Sequence, residues 1–281
     1  MIAAEATAAV LRDLFDLRGT RAVVTGAASG LGLAFSEILA DCGAAVMMAD
    51  IRGDDELASA AAPLAARGCE VRTCTCDVAH EGSVGRLFEE ARSAMGGVDV
   101  VFANAGITGG PGFLTPEGQL DTIDLEQWQR VIDVDMTGVM LTLRAAARLM
   151  KPQRRGRIVV TASIAGLAPE PFVGYSYVCA KAAVVNLVHQ AALELAPHQV
   201  TVNAIAPGPF RTNIAGGRLH DEEAAKRWAA TVPLGRMGQP SEIKGLALFL
   251  ASPASAFMTG AVVPIDGGSV VAGKPIMTAD R

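Results

Sequence analysis

The sequence predicts an α/β fold in which a seven-stranded parallel sheet is doubly wound, with helices on both faces. Three observations lead to this prediction. Seven short runs are continuously apolar, as expected of parallel strands that are buried on both faces. Helix-length segments separate these runs, and repeated β-α-β order favours parallel strands with right-handed crossovers. No repeat, low-complexity tract or linker interrupts the 281 residues, so a single domain spanning 1–281 is expected.

The strands are predicted from the apolar runs themselves, which are Arg21–Thr25, Ala44–Asp50, Glu70–Thr75, Val98–Asn104, Arg157–Ala162, Val200–Ala206 and Ala261–Asp266. The helices are predicted from segments that are rich in Leu and Ala or that have one apolar face. They are Gly30–Cys42, Gly82–Met95, Asp124–Met150, Tyr175–Ala196 and Pro240–Leu250. A further helical segment is Asp54–Arg67, which Pro63 is expected to kink or split.

The ends and long loops of the chain have separate predictions. Residues 1–16 are expected to form an amphipathic helical extension, because charged residues interrupt the apolar ones and no basic segment comes first, unlike a secretory signal. Residues 106–123 and 207–217 are expected to be irregular. We expect 209–231 to form a lid over a substrate and 269–281 to form a tail.

Composition excludes several classes of function. The net charge is −5 and there is no basic tract, which argues against binding to nucleic acid or to an anionic membrane. The chain has no run of about 20 uncharged apolar residues, so no membrane span is expected. Five cysteines without a signal segment indicate reduced thiols in a cytoplasm. The four histidines are scattered, and Cys74 and Cys76 share a strand face without a second pair of ligands, so no metal site is expected.

A glycine-rich loop, TGAASGLG (Thr25–Gly32), joins the first strand to the first helix. Gly26, Gly30 and Gly32 permit a tight turn and remove the Cβ atoms that would hold a pyrophosphate away from the N–H groups at the helix start. This placement indicates a Rossmann-type dinucleotide-binding domain. The spacing is G-x-x-x-G-x-G, so a simple turn with close helix–strand packing is the alternative.

Asp50, at the end of the second strand, indicates which dinucleotide is bound. A carboxylate there can accept both hydroxyls of an adenosine ribose, and it would repel a 2′-phosphate. No basic residue stands within the glycine loop, although Arg52 lies two residues beyond Asp50 and could reach a phosphate. The sequence therefore favours NAD over NADP.

Both tyrosines of the chain, Tyr175 and Tyr177, lie within ten residues of each other and close to Lys181. Tyr177 and Lys181 are four apart on a predicted helix, so their side chains share a face. A phenol with a pKa near 10 is a poor acid or base at neutral pH, and a neighbouring ammonium lowers that pKa. Tyr175 has Cys179 at the same offset and gains no such help. We therefore predict that Tyr177 is the proton-transfer residue.

The order of the motifs resembles that of the classical short-chain dehydrogenase/reductase family. The motifs are TGAASGLG, Asp50, CDV (Cys76–Val78), NAG (Asn104–Gly106), Ser163, YVCAK (Tyr177–Lys181) and NAIAPG (Asn203–Gly208). The resemblance runs from about Leu17 to Gly268. It implies a homotetramer, and it implies that Tyr177 is the general acid/base, that Lys181 lowers the phenol pKa and holds the nicotinamide ribose, and that Ser163 hydrogen-bonds the substrate oxygen.

The same resemblance implies a set of cofactor-binding residues. Asp77 and Val78 would lie beside the adenine, Ala105 and Gly106 near its ribose, and Asn104 would support the central strand. Pro207 and Gly208 would border the nicotinamide, and the hydroxyl of Thr212 would contact its carboxamide. The remaining expected contacts are Gly26, Ser29, Gly30, Leu31, Gly32, Asp50, Ile51, Tyr177, Lys181 and Phe210.

Two positions depart from the family pattern. The family usually has Asn where VDMTG (Val134–Gly138) has Asp135. In the family this position acts partly through its backbone carbonyl, which survives the replacement, so Asp135 is expected to belong to the catalytic set. Its carboxylate would still change the charge around Lys181. Ser163 precedes Tyr177 by 14 residues, one more than is commonest, which suggests a bulge at 168–172 near the substrate.

The sequence therefore predicts an NAD-dependent oxidoreductase that acts on a secondary alcohol or ketone. The walls of its substrate pocket are expected from 107–114, 167–172 and the lid, with Phe113, Phe172, Phe210 and Trp228 as apolar residues; Arg211 and Arg218 could meet a carboxylate. An NADP-dependent reductase of carbonyls or 3-oxoacyl thioesters is one alternative. A non-catalytic nucleotide-binding scaffold, with Asp135 marking lost chemistry, is another.

Overall fold

The computed structural model describes residues 2–212 and 222–273. Within these ranges it has seven strands in one parallel sheet: β1 (Arg21–Thr25), β2 (Ala45–Asp50), β3 (Val71–Thr75), β4 (Val100–Ala103), β5 (Gly156–Thr161), β6 (Val200–Pro207) and β7 (Val262–Ile265). The helices are α1 (Ile2–Phe15), α2 (Gly30–Asp41), α3 (Asp54–Ala66), α4 (Glu81–Met95), α5 (Leu125–Ile132), α6 (Gly138–Gln153), α7 (Tyr175–Leu195), α8 (Glu222–Ala230), α9 (Lys244–Ala251) and α10 (Ser269–Ala272). The predicted doubly wound α/β fold is confirmed.

The core consists of two apolar layers, one on each face of the sheet. Val23 and Val101 face a layer that includes residues of α4, α6 and α7. The next residues along the same strands, Val24 and Phe102, face the opposite layer, which α2, α3 and α9 cover. Successive side chains of a strand point to opposite faces, so a central strand that is covered on both sides must be apolar throughout.

The order of the strands positions the site. The sheet runs β3-β2-β1-β4-β5-β6-β7, so the chain winds outwards from β1 to β3 and then crosses to the other side at β4. The loops that follow β1 and β4 therefore part in opposite directions and leave a crevice at the carboxyl ends of these strands. The glycine loop follows β1 and the NAG motif follows β4, so the fold brings these two motifs together.

Three predicted elements differ in detail from the structure. The edge strand β3 is not buried on both faces, since Arg72 and Thr73 are exposed. Helix α3 is continuous through Pro63, which lies on its solvent face, and Leu57 and Leu64 anchor the helix in the core. The tail after Gly268 begins with the short helix α10 rather than irregular chain.

The predicted helix Asp124–Met150 is interrupted by a π-helical segment. The side chain of Asp124 caps α5 by accepting hydrogen bonds from the N–H groups of Glu126 and Gln127. The segment Asp133–Thr137 then adopts π geometry, and α6 continues to Gln153, three residues past the predicted end. Periodicity of apolar residues cannot distinguish a π-helical turn from an α-helical one, so this segment is not predictable from the sequence pattern.

Helix α7 and the turn after it, Tyr175–His198, have the length and mean hydropathy, 1.2, of a membrane-crossing helix. Its position argues otherwise, because α7 packs against β6 and carries the buried Lys181 into the centre of the protein. An apolar helix in the core of a folded domain has the same composition. No other helix among the described residues has these properties.

Candidate active site

A cleft of about 1000 Å³ opens at the carboxyl ends of the strands. Loops after β1, β2, β4, β5 and β6 line it, as expected of a doubly wound sheet. The residues predicted for cofactor and catalysis all line this cleft, except for three that lie directly behind it. These three are Gly30, where an added Cβ atom would meet Thr212; Gly32, where it would meet Gly26; and Asp135, which lies beside Gly106.

The glycine loop has the geometry of an anion-binding turn. Gly26 and Gly30 have positive φ angles of 68° and 58°, which favour glycine. A Cβ atom on Gly32 would lie 2.0 Å from the carbonyl oxygen of Gly26, so only glycine fits there. The side chain of Ser29 does not cap α2, and the first turn of α2 has no acidic residue. The N-terminus of α2 is therefore suited to a phosphate group.

Asp50 is held at the end of β2 by backbone donors. Its Oδ2 accepts a hydrogen bond from the N–H of Ala28 at 3.0 Å, and its Oδ1 accepts one from Arg52 N–H at 3.1 Å. The guanidinium of Arg52 lies 4.0 Å from Asp50 and 3.6 Å from Glu56, which divides its charge between two carboxylates. The cleft therefore presents a fixed negative charge at this edge.

Asn104 joins three strand ends behind the cleft. Its Nδ2 donates to the carbonyl oxygens of Thr25 and Gly26, at 2.9 and 3.3 Å. Its Oδ1 accepts a hydrogen bond from the hydroxyl of Thr161 at 3.0 Å. The loops after β1, β4 and β5 are thus fixed relative to one another, which is the supporting role that the family resemblance implied for Asn104.

Tyr177, Lys181 and Ser163 meet at the centre of the cleft. Helix α7 places Tyr177 and Lys181 on one face, with the lysine Nζ 5.4 Å from the centroid of the tyrosine ring. Lys181 is buried, and its Nζ donates to the carbonyl oxygen of Thr161 at 3.1 Å. Ser163 lines the same part of the cleft, and its hydroxyl oxygen accepts a hydrogen bond from the N–H of Ala165 at 3.1 Å. A serine, a phenol and an ammonium thus converge on one point.

The pKa of Tyr177 corrects one expectation. Burial raises the pKa of this phenol, the ammonium of Lys181 lowers it, and the carboxylate of Asp135 raises it again, so the net direction is upwards. The sequence predicted a lowered pKa from Lys181 alone. Lys181 does lower the pKa of Tyr177, but burial and the carboxylate of Asp135 outweigh this effect.

Asp135 reaches Lys181 from the π segment. Its Oδ2 lies 3.1 Å from Nζ, and its Oδ1 accepts a hydrogen bond from the N–H of Ile107 at 2.8 Å. Burial raises the pKa of Asp135, although Lys181 and Ile107 oppose this change. Burial tends to lower the pKa of Lys181, but Asp135 and Tyr177 together raise it, so the lysine keeps its proton.

The outer wall of the cleft contains a residue that the sequence did not single out. Glu170, in the predicted bulge at 168–172, is buried, lines the cleft and accepts a hydrogen bond from the N–H of Phe172 at 3.3 Å. A carboxylate between two prolines in an apolar loop, PEP, was the signal that could have revealed it. Residue Val173 pairs with Pro111, which joins this loop to the one after β4.

The predicted apolar wall is present with one exception. Phe172 and Trp228 line the cleft with ring centroids 5.2 Å apart, and Phe210 also lines it. Phe113 instead packs against Tyr175 outside the lining, at 6.4 Å. The prediction that Arg211 and Arg218 could meet a carboxylate gains no support from Arg211, which is exposed and outside the lining, while Arg218 falls outside the described residues.

The thiols of Cys74 and Cys76 lie in the core and not in a ligand cluster. Both side chains are buried, and burial together with Glu90 raises the pKa of Cys74 to about 12, which keeps it a thiol. Across residues 2–212 and 222–273, no three His, Cys, Asp or Glu side chains are grouped to hold a metal ion.

Comparison with known proteins identifies similar chains. Residues 26–270 match a family model described as enoyl-(acyl carrier protein) reductase. A cis-4-hydroxycyclohexanecarboxylate dehydrogenase from Sinomonas cyclohexanicum is 41% identical, over 88% of this chain and 95% of the relative. A short-chain type dehydrogenase/reductase from Mycobacterium marinum has a TM-score of 0.85 and 40% identity, over 92% of this chain and 98% of that one.

A third similar protein bears on the cofactor. It is a putative NAD(P)-dependent gluconate 5-dehydrogenase from Beutenbergia cavernae, whose crystal structure has bound NADP at low occupancy. Its TM-score is 0.82 with 33% identity, over 92% of this chain and 99% of that one. Similar proteins therefore include dehydrogenases, one of which has bound NADP in its crystal structure.

Proposed function

Because this chain belongs to the classical short-chain dehydrogenase/reductase family, we propose that it is an NAD-dependent oxidoreductase acting on a secondary alcohol or the corresponding ketone. The observation that carries this proposal is the convergence of Ser163, Tyr177 and Lys181 at the centre of a cleft that begins at a glycine loop. A non-catalytic scaffold has no need of a half-buried phenol with a buried ammonium 5.4 Å from its ring, so we favour an enzyme.

The residues of the chain perform the proton transfer. In oxidation, the phenolate of Tyr177 accepts the hydroxyl proton of the alcohol while the carbinol C–H bond breaks. In reduction, the Tyr177 phenol gives its proton to the developing alkoxide, and the Ser163 hydroxyl donates a hydrogen bond to the same oxygen. The nicotinamide cofactor supplies or accepts the hydride. The positive charge of Lys181 favours the phenolate form of Tyr177, and contacts with Asp135 and Thr161 hold its Nζ at the site.

The residues that would hold a dinucleotide fit that role. The uncapped start of α2 suits a pyrophosphate, and Gly26 and Gly32 allow close approach of its backbone. Asp50 would accept the hydroxyls of the adenosine ribose. A 2′-phosphate about 4 Å from this carboxylate would be repelled by roughly 4 kcal/mol at an effective dielectric near 20. This repulsion is our reason for proposing NAD.

NADP remains a second candidate because of one residue. Arg52 lines the same edge of the cleft and could offer its guanidinium to a 2′-phosphate. An NADP-dependent reductase of carbonyls or 3-oxoacyl thioesters would then be the function. Against this, Arg52 is already shared between Asp50 and Glu56.

We also propose a homotetramer that works in the cytoplasm, without nucleic acid or membrane as a partner. The family resemblance implies subunit contacts through the two long helices and the final helix–strand region, and large apolar side chains are exposed there. Leu193 on α7 is 74% exposed, and Phe257, before β7, is fully exposed. Contacts between subunits would cover these side chains.

We expect wild-type kcat/KM with NAD to exceed that with NADP by about 100-fold, since water in an open cleft screens part of the repulsion from Asp50. The measurement is formation of reduced cofactor with either dinucleotide and a panel of secondary alcohols that includes cis-4-hydroxycyclohexanecarboxylate, cyclohexanol and gluconate. Asp50→Ala is expected to reduce this preference to about tenfold or less, because the fixed carboxylate is gone.

The matched control is Asp55→Ala, which removes an exposed carboxylate on α3 outside the cleft and is expected to leave the preference unchanged. Preference of the wild type for NADP would replace our assignment with the second candidate. No turnover with either cofactor across alcohols and ketones would favour the scaffold instead.

A further inference from the structure

We propose that Asp135 is a positioning residue that holds Lys181 in a buried ion pair and thereby moves the proton exchange of Tyr177 to more alkaline pH. The inference rests on the proposed function. Asp135 stands where the family usually has asparagine, so its carboxylate is a charge that most members of the family lack beside the lysine.

The geometry shows why the ion pair is fixed. Asp135 is fully buried, and the N–H of Ile107 anchors its Oδ1 at 2.8 Å while its Oδ2 faces Nζ of Lys181 at 3.1 Å. Lys181 is 2% exposed and also donates to Thr161 O. Neither charged group can turn away to water without breaking these contacts, so the charges act on each other at close range.

Gly106 leaves the space that the pair needs. A Cβ atom at this position would lie 2.9 Å from Oδ2 of Asp135 and 3.5 Å from Nζ of Lys181. The loop after β4 therefore passes directly over the ion pair, and its next residue, Ile107, donates the hydrogen bond that orients the carboxylate. The NAG motif thus contacts the catalytic lysine through Asp135.

The charges around Tyr177 determine the direction of the effect. Burial disfavours the phenolate most, the ammonium of Lys181 favours it, the carboxylate of Asp135 disfavours it, and the Ser163 hydroxyl favours it. An asparagine at position 135 could keep the bond from Ile107 but would carry no charge. The ammonium would then act on Tyr177 without a compensating carboxylate, which stabilises the phenolate.

Other charged groups face the same cleft from the neighbouring elements, and they stay unchanged when only position 135 is altered. They are Asp50, Arg52, Asp77, His80, Glu126, Arg130, Asp133 and Glu170. A difference between Asp and Asn at position 135 therefore reports the ion pair itself. Burial disfavours the phenolate of Tyr177, and Asp135 offsets part of the opposing effect of Lys181, so the phenol keeps its proton at neutral pH. This suits proton donation to a ketone and makes alcohol oxidation an alkaline activity.

The chain contains only two tyrosines, which permits a direct test. In the Tyr175→Phe background, Tyr177 is the one remaining phenol, and its ionisation can be followed by phenolate absorbance against pH without any substrate. We expect Asp135→Asn to lower the midpoint by about 1 pH unit in this background. An unchanged or raised midpoint would overturn the proposal.

The matched control is Asp133→Asn, which removes a carboxylate of the same π segment that accepts from Gln129. We expect the midpoint to move by less than a third of the Asp135→Asn shift. Asp135→Ser removes the same charge with a smaller side chain, and it must move the midpoint in the same direction as Asp135→Asn. If either Asp135→Asn or Asp135→Ser folds poorly, the other still gives the midpoint.

Activity gives a second readout that separates the two proposals. The pH profile of kcat/KM for alcohol oxidation should move to lower pH by the same amount in Asp135→Asn, a change that a purely structural role would not produce. If no substrate is turned over by the wild type, the proposed function fails, while the absorbance titration still decides whether Asp135 controls Tyr177. If the wild type turns over a substrate and the pH profiles of the wild type and Asp135→Asn coincide, only the inference about Asp135 fails.

Discussion

Tyr177→Phe is expected to lower kcat by about 1000-fold and to leave dinucleotide affinity within about twofold of the wild type. General acid–base catalysis contributes roughly 100- to 10,000-fold, and the ring remains in place. The phenyl ring preserves the packing beneath Lys181, whose Nζ lies 5.4 Å from the ring centroid. Steady-state oxidation of the best alcohol in the panel gives kcat, and a fluorescence titration with NAD gives the affinity.

The chain supplies its own control for this variant. Tyr175→Phe changes the other tyrosine, two residues away on the same helix, which packs against Phe113 outside the cleft. We expect kcat within about twofold of the wild type, since this phenol contacts no catalytic group in the described structure. Equal losses in both variants, or wild-type turnover in Tyr177→Phe, would refute the assigned role of Tyr177.

Gly32→Ala is expected to weaken dinucleotide binding by about 100-fold and to lower the thermal unfolding midpoint. The new Cβ atom would lie 2.0 Å from the Gly26 carbonyl oxygen and 2.6 Å from Nδ2 of Asn104. Backbone atoms must move to relieve such a contact, and overpacking costs about 1–3 kcal/mol or more. Calorimetric titration with NAD and a thermal unfolding curve measure the two effects.

Gly85→Ala is the matched control for the glycine loop. Gly85 lies in α4, and a Cβ atom added there meets nothing within 4 Å. Alanine in a helix interior is more favourable than glycine by about 1 kcal/mol, so this variant should be slightly more stable and should bind NAD normally. Normal NAD affinity in Gly32→Ala would contradict the proposed course of the pyrophosphate over the loop.

Much of the fold could be predicted because the central strands are covered on both faces. Val23 and Val24 point into different apolar layers, so both must be apolar, and the run stands out in the sequence. The edge strand β3 is only partly covered on either face, so the exposed residues Arg72 and Thr73, on opposite faces, are compatible with a strand but not with the buried run that we expected.

The proximity of Tyr177 and Lys181 was predictable for a different reason. Tyr177 and Lys181 lie close in the sequence and on one helix face, so their contact follows from helical geometry alone. Contacts between distant segments do not follow in this way. The 3.1 Å distance between Asp135 and Lys181 depends on the π segment at Asp133–Thr137, which no sequence spacing reveals. The rise in the pKa of Tyr177, which burial causes with a contribution from Asp135, also depends on the tertiary structure.

The substrate wall was the least predictable part of the site. Phe113 and Phe172 have the same apolar character, yet only Phe172 lines the cleft. The outcome depends on how the loops after β4 and β5 pair, through Pro111 and Val173, which is a tertiary contact. Glu170 was missed because a charged residue in a loop is usually exposed.

The central claim is that this chain transfers a hydride between an alcohol carbon and the nicotinamide ring, with Tyr177 exchanging the proton. The most direct measurement uses an alcohol of the panel with deuterium at its carbinol carbon and follows the label by NMR. The account predicts one deuterium at C4 of the reduced nicotinamide and none released to water. Reduced cofactor without deuterium, or ketone formed with the label in the solvent, would contradict it.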